Sequence, residues 1–247
     1  MTPSPPRGPQ DIRGMVPTLN NTGFMSMHMN GCVQAFVDFA STCTSEVLDM
    51  GCAFGIATHA ALATGARVLA CDMEPRHLDA VTEQTPLDER SRLRTQAATL
   101  PGAEFPDGSF GAILCSRVIH FLTGPDIEQS ITKFHRWLAP GGKLFLITDT
   151  PYSGYWKAHA PIYEEKKRAG ELWPGFIADT SVYLPASSTR SSGFLNPCDP
   201  EILERVCREA GFVIESAAYI GRVTESGATP LPDARDHAAV IARKDQP

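Results

Sequence analysis

The chain has 247 residues, of which 43% are hydrophobic and 20% charged, and its net charge is −6. This composition is that of a globular protein with a large core, and it excludes a disordered or fibrous chain. The acidic balance argues against a protein held on nucleic acid by phosphate contacts, because such proteins present a basic face. No apolar run approaches the about 18 to 20 residues of a membrane span, so none is predicted. Residues 1–10 lack the apolar segment of a secretory signal.

The seven cysteines give a second constraint on the class of protein. Their number is odd and no Cys-x-x-Cys pair occurs, which disfavours both a disulfide framework and a zinc site. The chain also has no His, Asp and Glu cluster with metal-ligand spacing, so no metal is predicted. We therefore expect free thiols and a reducing compartment, the cytoplasm.

The N-terminal part divides into two predicted regions. Five of the 20 prolines fall in residues 1–20, which predicts a flexible tail. Apolar residues recur at helical spacing between Asn30 and Ala40. This spacing predicts one amphipathic helix within an N-terminal helical cap over 21–45.

From residue 46 onward, short apolar runs alternate with helical patterns. The predicted strands are Val47–Met50, Arg67–Cys71, Leu93–Ala97, Phe110–Cys115 and Lys143–Thr148. The predicted helices between them are Ile56–Ala63, Pro75–Thr82 and Ile127–Leu138, the last broken by Pro140-Gly141-Gly142. Such alternation is typical of a parallel sheet with helices on both faces.

The alternation stops over 151–198 and then resumes. An Asp199-Pro200 start predicts a helix, and Phe212–Tyr219 and Ala238–Ala242 are candidate final strands. The fold class predicted is α/β: a Rossmann-like doubly wound, mainly parallel seven-stranded sheet. Residues 46–150 and 199–247 form its core, and 151–198 form a lid inserted after the fifth strand.

The segment from Asp49 to Gly55 joins a buried strand to a helix through a glycine-containing turn. In doubly wound sheets, ligands bind beyond the carboxyl ends of the strands, and glycine lets the backbone approach them closely. The run fails the dinucleotide pattern G-x-G-x-x-G, and Asp49 would repel a pyrophosphate. A ligand with an ammonium and a carboxylate suits both the acid and the helix amides, and S-adenosylmethionine carries both groups.

A second acid, Asp72, follows the second strand, 23 residues after Asp49. A carboxylate at this offset can accept hydrogen bonds from two ribose hydroxyls. Capping of the adjoining helices is the alternative interpretation for both acids, and for Asp72 the two roles are compatible.

Five motifs in order resemble class I S-adenosylmethionine-dependent methyltransferases of the small, single-domain bacterial type (methyltransferase type 11-like). They are Asp49–Gly55, with Ala53 for the middle glycine of the family's first motif; Asp72; Leu100-Pro101 with Phe105–Phe110; Ser116–His120; and Leu138–Leu144. The resemblance covers about residues 46–150 in order and 199–247 more loosely.

The resemblance implies S-adenosyl-L-methionine as cofactor and S-adenosyl-L-homocysteine as product. The residues expected to bind it are Asp49, Gly51, Cys52, Ala53, Gly55, Asp72, Met73, Gln96, Ala97, Ala98 and Ser116. Gln96 stands where the family often has an Asp that meets the adenine amino group. Gly111 replaces another family Asp, with little functional loss expected.

His120 follows the fourth strand and is the candidate general base, although a non-catalytic histidine at this place is the alternative. His28 and His159 are rival bases. Asp149, Tyr152, Tyr155 and Trp156 are the candidate acceptor-binding residues, with the lid's own small core as the alternative for the aromatic ones. The methionine-rich stretch Met25–Met29 either closes over the cofactor or is plain packing.

The function predicted is methyl transfer to a small-molecule acceptor, at an O, N or C atom, by in-line displacement. One alternative is a protein or RNA acceptor, which the acidic balance and the enclosing lid disfavour. Another is a module that binds the cofactor without catalysis. A nicotinamide-dependent oxidoreductase is disfavoured by the failed fingerprint, and a homodimer that completes the pocket is compatible with the lid.

Overall fold

A computed structural model describes residues 15–183, 193–221 and 233–246. Its centre is a seven-stranded sheet in the order β5-β4-β3-β6-β7-β9-β8. The strands are β3 Glu46–Met50, β4 Val68–Asp72, β5 Leu93–Ala97, β6 Phe110–Ser116, β7 Leu138–Asp149, β8 Val213–Ile220 and β9 His237–Arg243. Strands β3 to β7 pair in parallel, whereas β9 is antiparallel to both β7 and β8. The predicted Rossmann-like, mainly parallel seven-stranded sheet is therefore confirmed.

Helices cover both faces of this sheet. They are α1 Gly31–Ala40, α2 Ile56–Ala63, α3 Pro75–Gln84, α4 Gly124–Trp137, α5 Ala160–Arg168 and α6 Pro200–Glu209. Alternate strand residues face opposite sides, so Val47 packs with α1 and α2 while Leu48 packs with α4 and α6. The two buried clusters hold the parallel strands between them, and the carboxyl ends of these strands form one edge of the core.

Strand β7 begins earlier than the sequence indicated. Helix α4 ends at Trp137, and Leu138 pairs with Phe110 before the register shifts toward the pair Ala112 and Lys143. Pro140-Gly141-Gly142 therefore lies within the irregular start of the strand, where Lys244 pairs with the backbone of both glycines. This contact with the distant C-terminal segment is what extends the strand.

The N-terminal predictions need correction. Met15–Pro17 (β1) pairs antiparallel with Phe24–Ser26 (β2), so residues 15–20 are part of a hairpin and not of a tail. The predicted helical cap over 21–45 is a helix only from Gly31, where the Asn30 side chain caps it. The rest of the predicted tail, residues 1–14, lies outside the described residues. Pairing across the hairpin supplies the order that the composition of this stretch did not indicate.

The inserted region contains α5 and short 3-10 turns at Gly154–His159 and Thr180–Val182. Two backbone hydrogen bonds join its end to the core. The Asn196 N–H donates to the His120 carbonyl at 2.7 Å, and the Cys198 N–H donates to the Asp149 carbonyl at 3.1 Å. The structure does not describe residues 184–192, 222–232 and 247. The division into core and lid stays a prediction. Among the helices that the structure describes, none combines the length and apolar character needed to cross a bilayer.

Candidate cofactor and acceptor site

A cavity of about 620 Å³ opens at the carboxyl ends of β3, β4 and β6. Three parts of the chain form its walls: the strand ends, the segment before α1, and the start of the insertion. Lining residues from the strand ends include Asp49, Gly51, Cys52, Ala53, Asp72, Met73, Ser116 and His120. The N-terminal segment contributes Thr18, Asn20, Met25, His28 and Asn30, and the insertion contributes Ser153 and Trp156. The cavity thus lies where a doubly wound sheet places its ligand.

Asp49 lies at the inner end of this cavity and is only 3% exposed. The Thr58 hydroxyl, from the first turn of α2, donates to Asp49 Oδ2 at 2.7 Å. The pKa of the Asp49 carboxyl is raised to about 6: burial raises it most, the hydrogen bonds from Thr58 lower it, and the negative charge of Asp72 contributes to the rise. The carboxylate is therefore a buried charge that a cationic group in the cavity would stabilise.

The turn after β3 depends on positive φ angles. Gly51 has φ +82°, and a Cβ there would lie 2.2 Å from Val118 Cγ2. Ala53, at the family's middle glycine, adopts φ +45°, a region that alanine enters at a cost of about 1 to 2 kcal/mol. Its amide donates to Asp72 Oδ2 at 2.9 Å, which ties the turn to the end of β4.

Helix α2 begins at the wall of the cavity. Its N-cap, Gly55, has φ +76° and no side chain to accept from the first amides, whereas Asn30, Thr123 and Asp199 cap their helices with side-chain oxygens. The first-turn residues Ile56 and Ala57 line the cavity. The positive end of the α2 dipole therefore faces the same space as the Asp49 carboxylate.

Asp72 already accepts three hydrogen bonds from the protein. The Ala53 amide donates to Oδ2, and the Glu74 amide, at 2.9 Å, and His77 Nδ1, at 3.1 Å, both meet Oδ1. A carboxylate has about four lone-pair sites. One site thus remains for a ligand hydroxyl, fewer than the two that the sequence interpretation assumed.

The expected adenine contacts are only partly brought together. Met73, Ala98 and Ser116 line the cavity, and Thr99 and Leu100 do so as well. Gln96 and Ala97 instead lie exposed on the edge strand β5, away from the cavity lining. Their pattern is that of a strand end, but β5 is the outermost strand of the sheet that the structure describes, and the sequence did not show this position.

His120 is 2% exposed, and its ring has protein partners. Nδ1 accepts from the Asp149 amide at 3.3 Å and lies 3.2 Å from Thr148 Oγ1. Because an amide donates to Nδ1, the neutral ring carries its proton on Nε2. His120 thus joins the ends of β6 and β7 and lines the cavity at the same time.

The candidate acceptor residues separate into two groups. Asp149 and Trp156 line the cavity, and His237 Nε2 lies 3.6 Å from Asp149 Oδ1. Tyr152 is outside the cavity lining: its hydroxyl donates to Glu164 of α5, and its ring packs against Tyr163 of α5 and Tyr219 of β8. The prediction for Tyr155 falls outside the side chains that the structure describes.

The rival bases also separate. His159 lies within the insertion, where its Nδ1 is 2.9 Å from the Tyr183 hydroxyl and burial lowers its pKa. His28 lines the cavity, and its buried Nε2 has no hydrogen-bond partner among the described residues. Met25 and Met29 line the cavity too, and Met25 is buried against Ala53 and Phe54. The packing interpretation of the methionine-rich stretch thus holds at Met25, and closure over the cofactor stays a prediction.

One residue of the site was not singled out from the sequence. His77, on α3, is 1% exposed, contacts Asp72 and lines the cavity. The signal was the spacing of Asp72 and His77, which places a histidine on the first turn of the helix that follows the acid. That turn folds back over the end of β4.

The strand order, the antiparallel β9 at one side and the acid-and-glycine turn after β3 are those of the class I S-adenosylmethionine-dependent methyltransferase fold. Residues 48–146 match the family model described as the methyltransferase domain. The chain therefore carries a methyltransferase domain, and the matched segment ends within β7, before the insertion.

Relatives and solved structures agree with this assignment. A ubiquinone biosynthesis O-methyltransferase of Xanthomonas oryzae pv. oryzae is 35% identical over 118 residues, which are 47% of this chain and 46% of the relative. The chain spans about half the length of the curated relatives it matches.

Two solved structures share the fold. A methyltransferase from Methanosarcina mazei has a TM-score of 0.64 at 15% identity, over 89% of this chain and 99% of that one. The 1,6-didemethyltoxoflavin-N1-methyltransferase of Burkholderia thailandensis has a TM-score of 0.56 at 15% identity, over 87% of this chain and 79% of that one. At these identities the likeness is one of fold.

Proposed function

We propose that this protein transfers a methyl group from S-adenosylmethionine to a small-molecule acceptor. The observation that carries the proposal is a charge arrangement within one cavity: the buried Asp49 carboxylate beside the N-terminus of α2, which no N-cap side chain closes. An acid and a positive helix end, side by side, suit a ligand that carries both an ammonium and a carboxylate.

The remaining features of the cavity are consistent with this cofactor. Asp72 has an acceptor site left for a ribose hydroxyl, and Met73 and Ala98 offer apolar surface to a base. Support also comes from neighbours in fold: one glycopeptide N-methyltransferase was solved with S-adenosylmethionine, and the Burkholderia thailandensis enzyme with S-adenosylhomocysteine. Gln96 and Ala97 lie outside the cavity lining, so we propose no contact between them and the cofactor.

When bound, the cofactor supplies an electrophilic methyl group, so the protein contributes mainly alignment and exclusion of water. The N-terminal segment and Trp156 enclose the cavity from two sides. Asp149 lies at the rim, where a carboxylate can hold an acceptor hydroxyl. For His120 we propose a positioning role, because its Nδ1 lone pair is used within the protein.

The acceptor proposed for the first assays is an aromatic hydroxyl. The curated relative is by name an O-methyltransferase of ubiquinone biosynthesis, which points to oxygen. The cavity volume of about 620 Å³ falls in the range of small-molecule sites and disfavours a protein or RNA acceptor. Heterocyclic nitrogen is the second choice, from the name of the Burkholderia thailandensis neighbour.

Two further proposals concern the protein as a whole. All seven cysteines are free thiols, which supports the cytoplasm as its compartment. A homodimer stays a proposal, to be tested by light scattering of the purified protein.

The deciding experiment is calorimetric titration with S-adenosylmethionine, S-adenosylhomocysteine and NAD, on the wild type, Asp72→Ala and Asp79→Ala. Asp79 lies on the neighbouring helix α3, is exposed and is not part of the cavity lining, so it serves as the matched acid. We expect both adenosyl ligands to bind, Asp72→Ala to lose about tenfold or more in affinity, and Asp79→Ala to bind as the wild type does.

The assay that follows measures S-adenosylhomocysteine formed with phenolic and then heterocyclic acceptors. Binding without product for any acceptor would favour the non-catalytic module. Binding of NAD alone would overturn the proposal.

A further inference from the structure

A hydrogen-bonded chain through the buried His77 joins the N-terminal segment to Asp72. The Leu19 amide donates to His77 Nε2 at 3.0 Å, and His77 Nδ1 lies 3.1 Å from Asp72 Oδ1. Because Nε2 accepts from an amide, the neutral imidazole carries its proton on Nδ1 and donates it to the carboxylate. His77 is only 1% exposed, so its contact with Asp72 is buried, and its hydrogen bond to Leu19 is partly buried.

We call residues 15–30 the N-terminal wall, because many of them line the cavity. Two consecutive residues of α3 hold the wall at Leu19. His77 accepts from the Leu19 amide, and the Arg76 guanidinium donates to the Leu19 carbonyl at 2.7 Å. Of these two anchors only His77 reaches into the cavity and touches Asp72, since the Arg76 side chain is 62% exposed and pairs with Glu74.

Packing makes the link stiff. The Phe54 ring meets the His77 ring edge-on, with centroids 4.9 Å apart, and Met25 of the wall is buried against Ala53 and Phe54. The same turn donates the Ala53 amide to Asp72. The wall, the turn after β3 and the end of β4 therefore meet at one imidazole.

We propose that His77 is a positioning residue that couples closure of the N-terminal wall to cofactor binding at Asp72. The inference rests on the proposed function. His77 holds the Asp72 carboxylate in the orientation that leaves one acceptor site toward the cavity, and the same ring holds the wall over that cavity. A ligand hydroxyl bound to Asp72 and a closed wall then stabilise each other. Ligand binding favours the closed wall, and the closed wall favours ligand binding.

The two nitrogens can be tested separately. His77→Asn keeps a donor near the Nδ1 position, toward Asp72, and loses the acceptor for Leu19. His77→Gln keeps an acceptor near the Nε2 position and loses the donor to Asp72. His77→Phe removes both and keeps the ring packing. Arg76→Ala is the matched control, because it loosens Leu19 without touching Asp72.

The readouts are amide hydrogen exchange over residues 15–30, with and without S-adenosylhomocysteine, and calorimetric affinity for that ligand. In the wild type the ligand should slow exchange of the wall. His77→Phe should lose this protection together with about tenfold in affinity, the size expected for a hydrogen bond to a charged group. His77→Asn and His77→Gln each break one end of the link, so in both the ligand should no longer slow exchange of the wall. His77→Asn should keep most of the affinity, whereas His77→Gln, which loses the donor to Asp72, should lose affinity as His77→Phe does. Arg76→Ala should speed exchange and leave the affinity within about twofold.

The inference is overturned if the ligand protects the wall of His77→Phe as in the wild type, or if Arg76→Ala lowers the affinity as much as His77→Phe does. In the second case His77 is only an anchor. A thermal melt of each variant establishes that it is folded.

Failure of the proposed function looks different. If the wild type binds no adenosyl ligand, that function falls, and the coupling to the cofactor falls with it. The link itself is then judged without ligand, from the exchange rate of the Leu19 amide in Asp72→Asn. An unchanged rate rejects the link too.

Discussion

Asp49 combines two demands that conflict in the absence of a ligand. Its carboxylate is buried beside Thr58, and burial raises its pKa to about 6. A cation in the cavity would remove this penalty, because an opposite charge favours the ionised form. Asp49 therefore lowers the stability of the ligand-free protein and favours the binding of a cationic ligand.

Replacing Asp49 by Asn should stabilise the ligand-free protein and abolish cofactor binding. An acid with a raised pKa in the folded state lowers stability fully above about pH 6, and this penalty fades as the pH falls from about 6 to 4. We expect Asp49→Asn to gain about 1 to 3 kcal/mol at pH 8 and close to nothing near pH 4, by chemical unfolding across that range. Affinity of the wild type for S-adenosylhomocysteine should fall below pH 6. A gain that does not vary with pH would contradict this account.

Turnover should survive a replacement of His120 that keeps a hydrogen-bond acceptor for the Asp149 amide. In His120→Asn the amide oxygen can accept from the Asp149 amide in place of Nδ1, so we expect turnover within about tenfold of the wild type. A general base would behave otherwise, with a loss of about 10² to 10⁴ and a changed pH profile of turnover. Steady-state rates from pH 6 to 9 distinguish the two roles.

At the scale of the element, the turn between β3 and α2 is set by backbone angle and by a close contact. Gly51→Ala would place a Cβ at φ +82° and 2.2 Å from Val118 Cγ2. We expect a loss of about 2 to 4 kcal/mol, the sum of the strain and of the overpacking. Urea unfolding measures it.

Gly170→Ala is the matched control, because its φ is +81° and no heavy atom lies within 4 Å of the added Cβ. It should lose only about 1 kcal/mol. Adding Val118→Ala to Gly51→Ala should recover the part of the stability loss that comes from the contact with Val118. Equal losses at both glycines would mean that the contact with Val118 is unimportant.

The insertion is joined to the core by a charge pair. Lys167 of α5 pairs with Asp199, which is fully buried and whose Oδ1 accepts from the Ile202 amide at 2.9 Å at the start of α6. Lys167→Met would leave that carboxylate without its cation, and we expect a loss of about 2 kcal/mol.

Lys166→Met is the control for this pair. Its ammonium lies 3.7 Å from the exposed Glu171, so the loss should stay within about 0.5 kcal/mol. Guanidinium unfolding of both variants compares them. A similar effect of the two changes would show that the pair does not anchor α5.

For the whole molecule, ligand binding to the cavity at the strand ends is linked to stability. At about 100 times its dissociation constant, a ligand that binds only the folded state adds about 2.7 kcal/mol. For a chain of 247 residues we expect S-adenosylhomocysteine to raise Tm by about 5 to 10 °C, and NAD at the same concentration to leave it unchanged. Scanning calorimetry tests this, and an equal rise with NAD would indicate a dinucleotide site.

The sheet and the main features of the cavity were predictable from the sequence because their signals are local. Buried parallel strands appear as short apolar runs, and glycines and prolines mark where the chain turns, as at Gly51 and Pro75. Leu93–Ala97 and Ile56–Ala63 were predicted with the bounds that the structure has. The acids after β3 and β4 were located in the same way.

Contacts between distant segments were decided only by the tertiary structure. The pairing of Met15–Pro17 with Phe24–Ser26, the docking of Leu19 on His77 and the exposed place of Gln96 depend on which segments become neighbours. A three-residue strand carries too little periodicity to be recognised, and a histidine five residues after an acid has no fixed meaning until α3 turns back over β4. The sequence alone thus determined the order of elements and the charged turn at their edge. The enclosure of that edge follows from packing across the chain, which local patterns do not encode.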